Sequence, residues 1–253
     1  MLKNIAIIQA RMSSTRLPGK VLLPLSGQPV LEHVVQRVRQ CKFVDKVVVA
    51  TTEHNSDDLI ENWCKKNNVE YYRGSLEDVL DRFYKVAKLY KAENILRITA
   101  DCPAIDSGII DEIIEKYHEG NFDFYGLSGE FPDGLDCTMF SFNALETAWK
   151  NSKLQSEREH VGPYIVNHPE LFVIGGYKKF QKLEHIRLTL DDPRDYELLS
   201  IIFNKLYESD HFFGIQSILN LLESNPDLLE INSKIIRNEG YLKSILNDIK
   251  VNN

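Results

Sequence analysis

The twelve residues Gln9-Ala10-Arg11-Met12-Ser13-Ser14-Thr15-Arg16-Leu17-Pro18-Gly19-Lys20 hold three cations, three hydroxyls and a glycine, with no acidic neighbour. Charge-assisted donors beside turning backbone N–H groups are what a polyphosphate needs. The segment has neither GxxxxGKS/T nor GxGxxG spacing, so it is neither a Walker loop nor a dinucleotide fingerprint. A solvated surface loop is the competing reading, weakened by the concentration of positive charge in an acidic chain. Two carboxylates stand where they could meet a metal. Asp101 ends an apolar run before Cys102-Pro103, and Asp191 precedes Asp192-Pro193. Mg²⁺ takes one or two protein carboxylates together with phosphate oxygens and waters. Asp101 is the first ligand candidate and Asp191 the second. Asp106 and Asp192 read as helix N-caps, the latter with proline at the first helical position.

The elements that must position these groups alternate short apolar runs with longer amphipathic stretches, the pattern of an α/β protein. Strands are expected at residues 5–9, 46–51, 69–72 and 94–99, with helices at 30–41, 57–67, 77–90 and 106–118. Units of this length imply right-handed crossovers and a three-layer, mostly parallel sheet. Ligands then sit outside the carboxyl ends of the strands, where loops 10–20, 51–57 and 100–106 would meet. Beyond residue 121 the pattern loosens. Phe131-Pro132-Asp133-Gly134 is a turn signal, residues 142–150 read as a helix, 171–177 and 185–190 as strands, and 193–206 as a helix. No repeat or composition break divides the chain. We expect one domain over residues 1–253: a nucleotide-binding part at about 1–120, an acceptor and dimerisation lobe at about 121–190, and C-terminal helices at about 191–253.

The chain of 253 residues carries 30 Lys and Arg against 37 Asp and Glu, a net charge of −7. That balance argues against a general nucleic-acid binder. Cys41, Cys64, Cys102 and Cys137 form no CxxC pair and no metal spacing, as expected of idle thiols in a reducing compartment. The apolar run after Met1-Leu2-Lys3-Asn4 is too short for a signal peptide or a membrane span. The expectation is a soluble cytoplasmic protein with neither a nucleic-acid nor a membrane partner.

The run from Ile8 to Lys20 resembles the opening motif of the cytidylyltransferases that make CMP-activated sugars. The nearest likeness is to the spore coat polysaccharide biosynthesis (SpsF-like) branch, related to the CMP-KDO and CMP-acylneuraminate synthetases. Further matches are Val49-Ala50-Thr51-Thr52, Arg73-Gly74-Ser75, Asp78-Val79-Leu80, Arg97-Ile98-Thr99-Ala100-Asp101-Cys102-Pro103, Phe131-Pro132-Asp133-Gly134-Leu135-Asp136, Arg158-Glu159-His160-Val161, Leu188-Thr189-Leu190-Asp191-Asp192-Pro193 and Asn238-Glu239-Gly240-Tyr241. They cover almost the whole chain in order. The resemblance implies a nucleotide-diphospho-sugar transferase (Rossmann-like) fold and the reaction CTP + sugar acid → CMP-sugar + pyrophosphate. It implies that Arg11, Ser13, Arg16 and Lys20 surround the triphosphate, with Ala10 and Ser14 of the same motif as substrate contacts. Lys20 and Arg16 would carry the charge of the leaving group, and Arg11 would meet the α/β region. Mg²⁺, or Mn²⁺ in its place, would be held by Asp101 and Asp191. Thr51 and Arg73, at strand ends, would approach the base or ribose, though Gly74 also reads as a simple turn. Arg97 lies in a matched motif and is taken as a substrate contact. Asp133, Asp136, Arg158, Glu159 and His160 would serve the acceptor, an acidic sugar or a phosphonate. Arg158 would pair with its anionic group, and His160 would orient or deprotonate its hydroxyl. By analogy the enzyme is a homodimer, with residues 123–136 as an exchanged hairpin. A glycosyltransferase using a nucleotide sugar stays open, although Asp101-Cys102-Pro103 stands where such enzymes carry a DxD pair. A non-catalytic nucleotide-binding protein also stays open.

Overall fold

The computed structural model describes residues 4–251. Residues 1–3, in the short N-terminal lead, and 252–253, at the end of the expected C-terminal part, lie outside the described residues. In chain order the elements are β1 (Asn4–Gln9), a 3₁₀ turn (Lys20–Leu22), the two-residue strands β2 (Pro24–Leu25) and β3 (Gln28–Pro29), α1 (Val30–Arg39), β4 (Lys46–Thr52), α2 (Asp58–Lys66), β5 (Glu70–Gly74), α3 (Val79–Tyr90), β6 (Asn94–Thr99) and α4 (Ser107–Gly120). They continue with β7 (Phe124–Leu127), β8 (Thr138–Ser141), α5 (Phe142–Asn151), α6 (Gln155–His160), α7 (Pro163–Asn167), β9 (Ile174–Tyr177), α8 (Pro193–Leu206), α9 (Ile215–Ser224) and α10 (Glu239–Leu246).

The main sheet has seven strands in the order β5-β4-β1-β6-β8-β7-β9. All are parallel except β8, which runs against β6 and β7. The period of two along β1 explains its continuous apolar run, because both faces are covered. Ile5 and Ile7 pack with Val48, Ala50 and Ile95 under α3 and α5. Ala6 and Ile8 pack with Val49, Leu96 and Ile98 under α1, α4 and α8. From β1 the chain crosses first to β4 on one side and later to β6 on the other. The carboxyl end of β1 is therefore the switch point where an α/β sheet opens a crevice, and the cationic loop leaves from there.

The second half departs from expectation in three places. Residues 185–190 do not form a ladder strand. They touch residue 133 through one isolated bridge, Asp133–Arg187, with Asp133 N–H donating to Ile186 O (2.9 Å) and Leu188 N–H to Asp133 O (2.7 Å). Pairing cannot extend because the chain turns at Gly134, at φ +101°, with Leu188 backbone so close that a Cβ would lie 2.5 Å from its carbonyl carbon. The strand expected over 171–177 begins only at Ile174, since Leu171 N–H closes a turn on His168 O (2.9 Å) after α7. Residues 123–136, expected as an exchanged hairpin, contribute β7 to the sheet of their own chain. The lobe at 121–190 thus continues the main sheet.

Gly134 makes a direct test. Gly134→Ala adds a Cβ at a positive φ into backbone atoms that cannot rotate away. It should lower unfolding stability by at least about 2 kcal/mol, read as a reduced urea midpoint with an unchanged slope.

Candidate functional site

The loop after β1 is shaped by one buried carboxylate. Asp57, where the 3₁₀ turn Asn55–Asp57 meets α2, accepts Met12 N–H (2.8 Å), the Thr51 hydroxyl (3.0 Å), Thr52 N–H (3.1 Å) and the Thr52 hydroxyl (2.5 Å). Burial alone would raise its pKa. The bonds from Thr52, Met12 and Thr51 outweigh that and hold the carboxyl below the usual range. Further along, Gly19 N–H donates to Met12 O (3.0 Å). Gly19 takes φ +73° with Met12 Cε packed against it, and this turn delivers Lys20 inward.

Lys20 Nζ donates to Asp101 Oδ2 and to Asp191 Oδ1, both at 2.6 Å. Burial works against its charge, but the two carboxylates prevail and raise its pKa. The same pair holds Asp101 well below the usual carboxylate range against its own burial. Asp191 Oδ2 meets Arg16 (3.2 Å) and Arg187 (3.1 Å). Arg187 in turn grips Asp133 (2.6 Å) and, through two nitrogens, the fully buried Asp195 (2.9 and 3.1 Å). Asp195 also accepts the N–H groups of Asp191 and Asp192 at 3.0 Å each, so it fixes the turn into α8, which Asp192 caps. Burial and Asp136 push Asp133 up to about 6 against the pull of Arg187. Cys102, beside Asp101, contacts the Thr99 hydroxyl at 3.2 Å, and burial with Asp101 and Asp136 drives its thiol pKa far up.

These groups surround a cleft of about 490 Å³. It gathers Arg11, Ser13, Ser14, Arg16, Lys20, Arg97, Asp101, Asp133, Asp136, Glu159, His160 and Asp191, all candidates from the sequence. Four candidates are placed elsewhere. Ala10 is buried behind the loop, its N–H donating to Ala50 O. Thr51 is buried, with its hydroxyl spent on Asp57. Arg73 ties the end of β5 to the turn before α2 through Asp58 (2.7 Å), Glu61, Thr52 O (2.7 Å) and His54 O (2.9 Å). Arg158 is 5% exposed. It bonds Trp149 O (2.8 Å), Ser152 O (3.2 Å) and Asp78 (3.4 Å), and borders a separate cavity of about 540 Å³. Both arginines hold the scaffold.

Two contributions escaped the sequence reading. Arg187 had no signal of its own, because its partners lie up to 54 residues away. The segment from Ile236 to Lys243 crosses the cleft mouth and brings Glu239, which pairs with Arg16 at 2.9 Å, and Tyr241. Its Asn238-Glu239-Gly240-Tyr241 motif was visible, though without a role. The chain beyond it clasps the start of α6: Ser156 N–H and hydroxyl donate to Asp248 (3.0 and 2.6 Å), Gln155 N–H to Ile249 O (2.9 Å) and Val251 N–H to Lys153 O (2.8 Å).

Asp101 and Asp191 converge on one ammonium, so they are close enough to share a cation. Among the described residues no cluster of three or more His, Cys, Asp or Glu side chains forms a metal site. Two carboxylates completed by phosphate oxygens and water suit Mg²⁺ better than a self-sufficient protein cage would. Among the described residues no helix is long and apolar enough to cross a membrane.

A family model described as cytidylyltransferase matches residues 5–234. Spore coat polysaccharide biosynthesis protein SpsF of Bacillus subtilis is 37% identical over 230 residues, spanning 87% of this chain and 94% of that protein. A 3-deoxy-manno-octulosonate cytidylyltransferase of Geobacter sulfurreducens is 37% identical over 114 residues, 45% of each chain. The solved structure of a cytidylyltransferase from Leptospira borgpetersenii superposes with a TM-score of 0.86 at 35% identity, covering 94% of this chain and 100% of that one. The sheet order and these likenesses agree with the nucleotide-diphospho-sugar transferase fold expected from the motifs.

Asp57 sets how the loop responds to acid. Its folded pKa lies below the unfolded value of about 3.9. Its stabilisation is therefore complete above that value and lost as pH falls through the folded one. Asp57→Asn should unfold at lower temperature than the wild type at pH 7, and the gap in Tm should narrow below about pH 4.

Proposed function

The chain belongs to the cytidylyltransferase family, and from that premise we propose that it transfers CMP from CTP to an acidic sugar of the nonulosonic type, for cell-surface polysaccharide. The observation that carries this reading is Lys20 Nζ at 2.6 Å from both Asp101 and Asp191, on the loop that also brings Arg11 and Arg16 to the cleft. A sugar hydroxyl attacks the α-phosphorus, the bond to the bridging oxygen of pyrophosphate breaks, and the hydroxyl proton leaves to a base or water. Negative charge grows on the departing pyrophosphate. Lys20 and Arg16 answer that charge, while Arg11 and the hydroxyls of Ser13 and Ser14 hold the phosphates in line. Positioned cations of this kind lower the barrier without reorganising as the reaction proceeds. Asp101 and Asp191 would hold Mg²⁺, with Mn²⁺ as its substitute, and the ion when bound would neutralise phosphate charge.

The acidic acceptor is supported by the relatives' names, among them a 3-deoxy-manno-octulosonate cytidylyltransferase, and by Arg97, which lines the same cleft. The test is pyrophosphate release from each nucleoside triphosphate with Mg²⁺ and a panel of acidic sugars and phosphonates. CTP-dependent release with a sugar acid is expected. Release only with a phosphonate would move the acceptor class, and transfer from a nucleotide sugar without any CTP-dependent release would overturn the reading. Lys20→Ala should lose about 10²–10³ in kcat while keeping the wild-type circular dichroism spectrum; near-normal kcat would remove Lys20 from the chemistry. Asp101→Asn should need more Mg²⁺ and regain only part of the activity at saturation, whereas an unchanged Mg²⁺ dependence would make Asp101 purely structural.

A further inference from the structure

The cations of the loop after β1 are paired with carboxylates from distant parts of the chain. Arg16 Nη1 meets Glu239 Oε2 at 2.9 Å, on the first residue of α10. Its other terminal nitrogen, Nη2, is on Asp191 at 3.2 Å, so Glu239 takes the remaining end of the fork. Arg11 lies 3.8 Å from Glu159 Oε1, and the second oxygen of Glu159 accepts the hydroxyl of Ser244, also on α10, at 3.4 Å. Lys20 is deeper, between Asp101 and Asp191. Arg16 is thus held by a carboxylate at the distance that a phosphate oxygen would take. Glu239 and a triphosphate compete for one guanidinium.

The segment that carries Glu239 is fastened on either side of α10. Before it, Arg237 donates to Phe131 O (2.7 Å) and lies over the Phe131 ring at 4.5 Å. Asn238 then takes φ +56°, a left-handed conformation that asparagine tolerates, and α10 starts from there. Beyond α10, Asp248 accepts the Ser156 N–H and hydroxyl (3.0 and 2.6 Å), and Val251 N–H donates to Lys153 O (2.8 Å). Between these points α10 has no buried residue, and its Leu242, Ile245 and Leu246 are exposed. A helix of eight residues that buries no side chain is held by its polar contacts, because its own propensity is too weak. Segments with so few buried apolar contacts open at low cost.

We propose that residues 236–251 form a latch over the cleft, in which Glu239 holds the phosphate position at Arg16 and yields it to an incoming polyphosphate. Repulsion between Glu239 and the phosphates then frees α10, while Arg237 keeps the segment attached at its base. The latch lowers the apparent affinity for the nucleotide, because only the opened form offers Arg16 to it. It rests on the cytidyl-transfer reading for the identity of the nucleotide, whereas its own trigger is phosphate charge.

The experiment follows amide hydrogen exchange at Leu242, Asn247 and Val251, together with calorimetric binding of CTP and of inorganic tripolyphosphate. Leu242 and Asn247 donate within α10 and its end, and Val251 reports the clasp on Lys153 O. Either anion should abolish the protection of all three amides. Glu239→Gln should tighten CTP binding about threefold, the scale of a partly exposed ion pair, and should speed exchange without any anion. Ser156→Ala changes no charge and no group at Arg16, yet by loosening the clasp it should tighten CTP in the same direction. Tightening in Glu239→Gln alone, with exchange unmoved by either anion, reports only a change of charge and overturns the latch. CTP binding that leaves or increases the protection of these amides also overturns it, and leaves the transfer reading standing. Release by tripolyphosphate in a protein that does not bind CTP keeps the latch and removes the cytidyl-transfer reading.

Discussion

One ammonium between two carboxylates organises the functional end of this molecule. Lys20 comes from the loop after β1, Asp101 from the end of β6 and Asp191 from the turn into α8, so a single charged group ties three distant parts of the chain together. The network then alternates sign outward through Arg187 to Asp133 and the buried Asp195. Removing one partner from a buried pair of this kind leaves an uncompensated charge and typically costs about 3–5 kcal/mol. The arrangement therefore fixes the positions of the charged groups that line the cleft, which is what electrostatic preorganisation requires.

The parallel half of the fold was legible in the sequence because each of its elements announces itself locally. The apolar runs of β1, β4 and β6 need burial on both faces, and the valines and isoleucines of α1 and α4 recur at helical spacing. The cationic loop was legible for the same reason: its charges are consecutive. What could not be read were pairings between distant residues. Arg158 and Arg97 are both isolated arginines in matched motifs, and nothing local distinguishes the one bonded to Trp149 O and Ser152 O from the one whose Nε has no hydrogen-bond partner among the described residues. Asp57 reads as an ordinary helix-start aspartate until the fold brings Met12 to it. Residues 185–190 look like a strand from their composition, but Gly134 limits them to one bridge.

The far end of the chain belongs to the site as much as the near end. Glu239 and Tyr241 reach across the mouth, and the backbone that follows is bonded to the start of the short helix carrying Glu159 and His160. The residues that line the cleft therefore meet different supports. The loop after β1 rests on the parallel sheet and Asp57, while Glu159 and His160 rest on α6 and on the residues that clasp it.

Cys102 stands next to a carboxylate suited to a hard oxygen-ligand ion. A thiolate there would offer a soft donor and tilt the site toward zinc or copper, which thiolate ligands prefer. Coordination by a thiol also requires that it lose its proton. Burial and the neighbouring Asp101 and Asp136 charges oppose that loss. The same carboxylates that shape the cleft thereby disfavour a thiolate beside them.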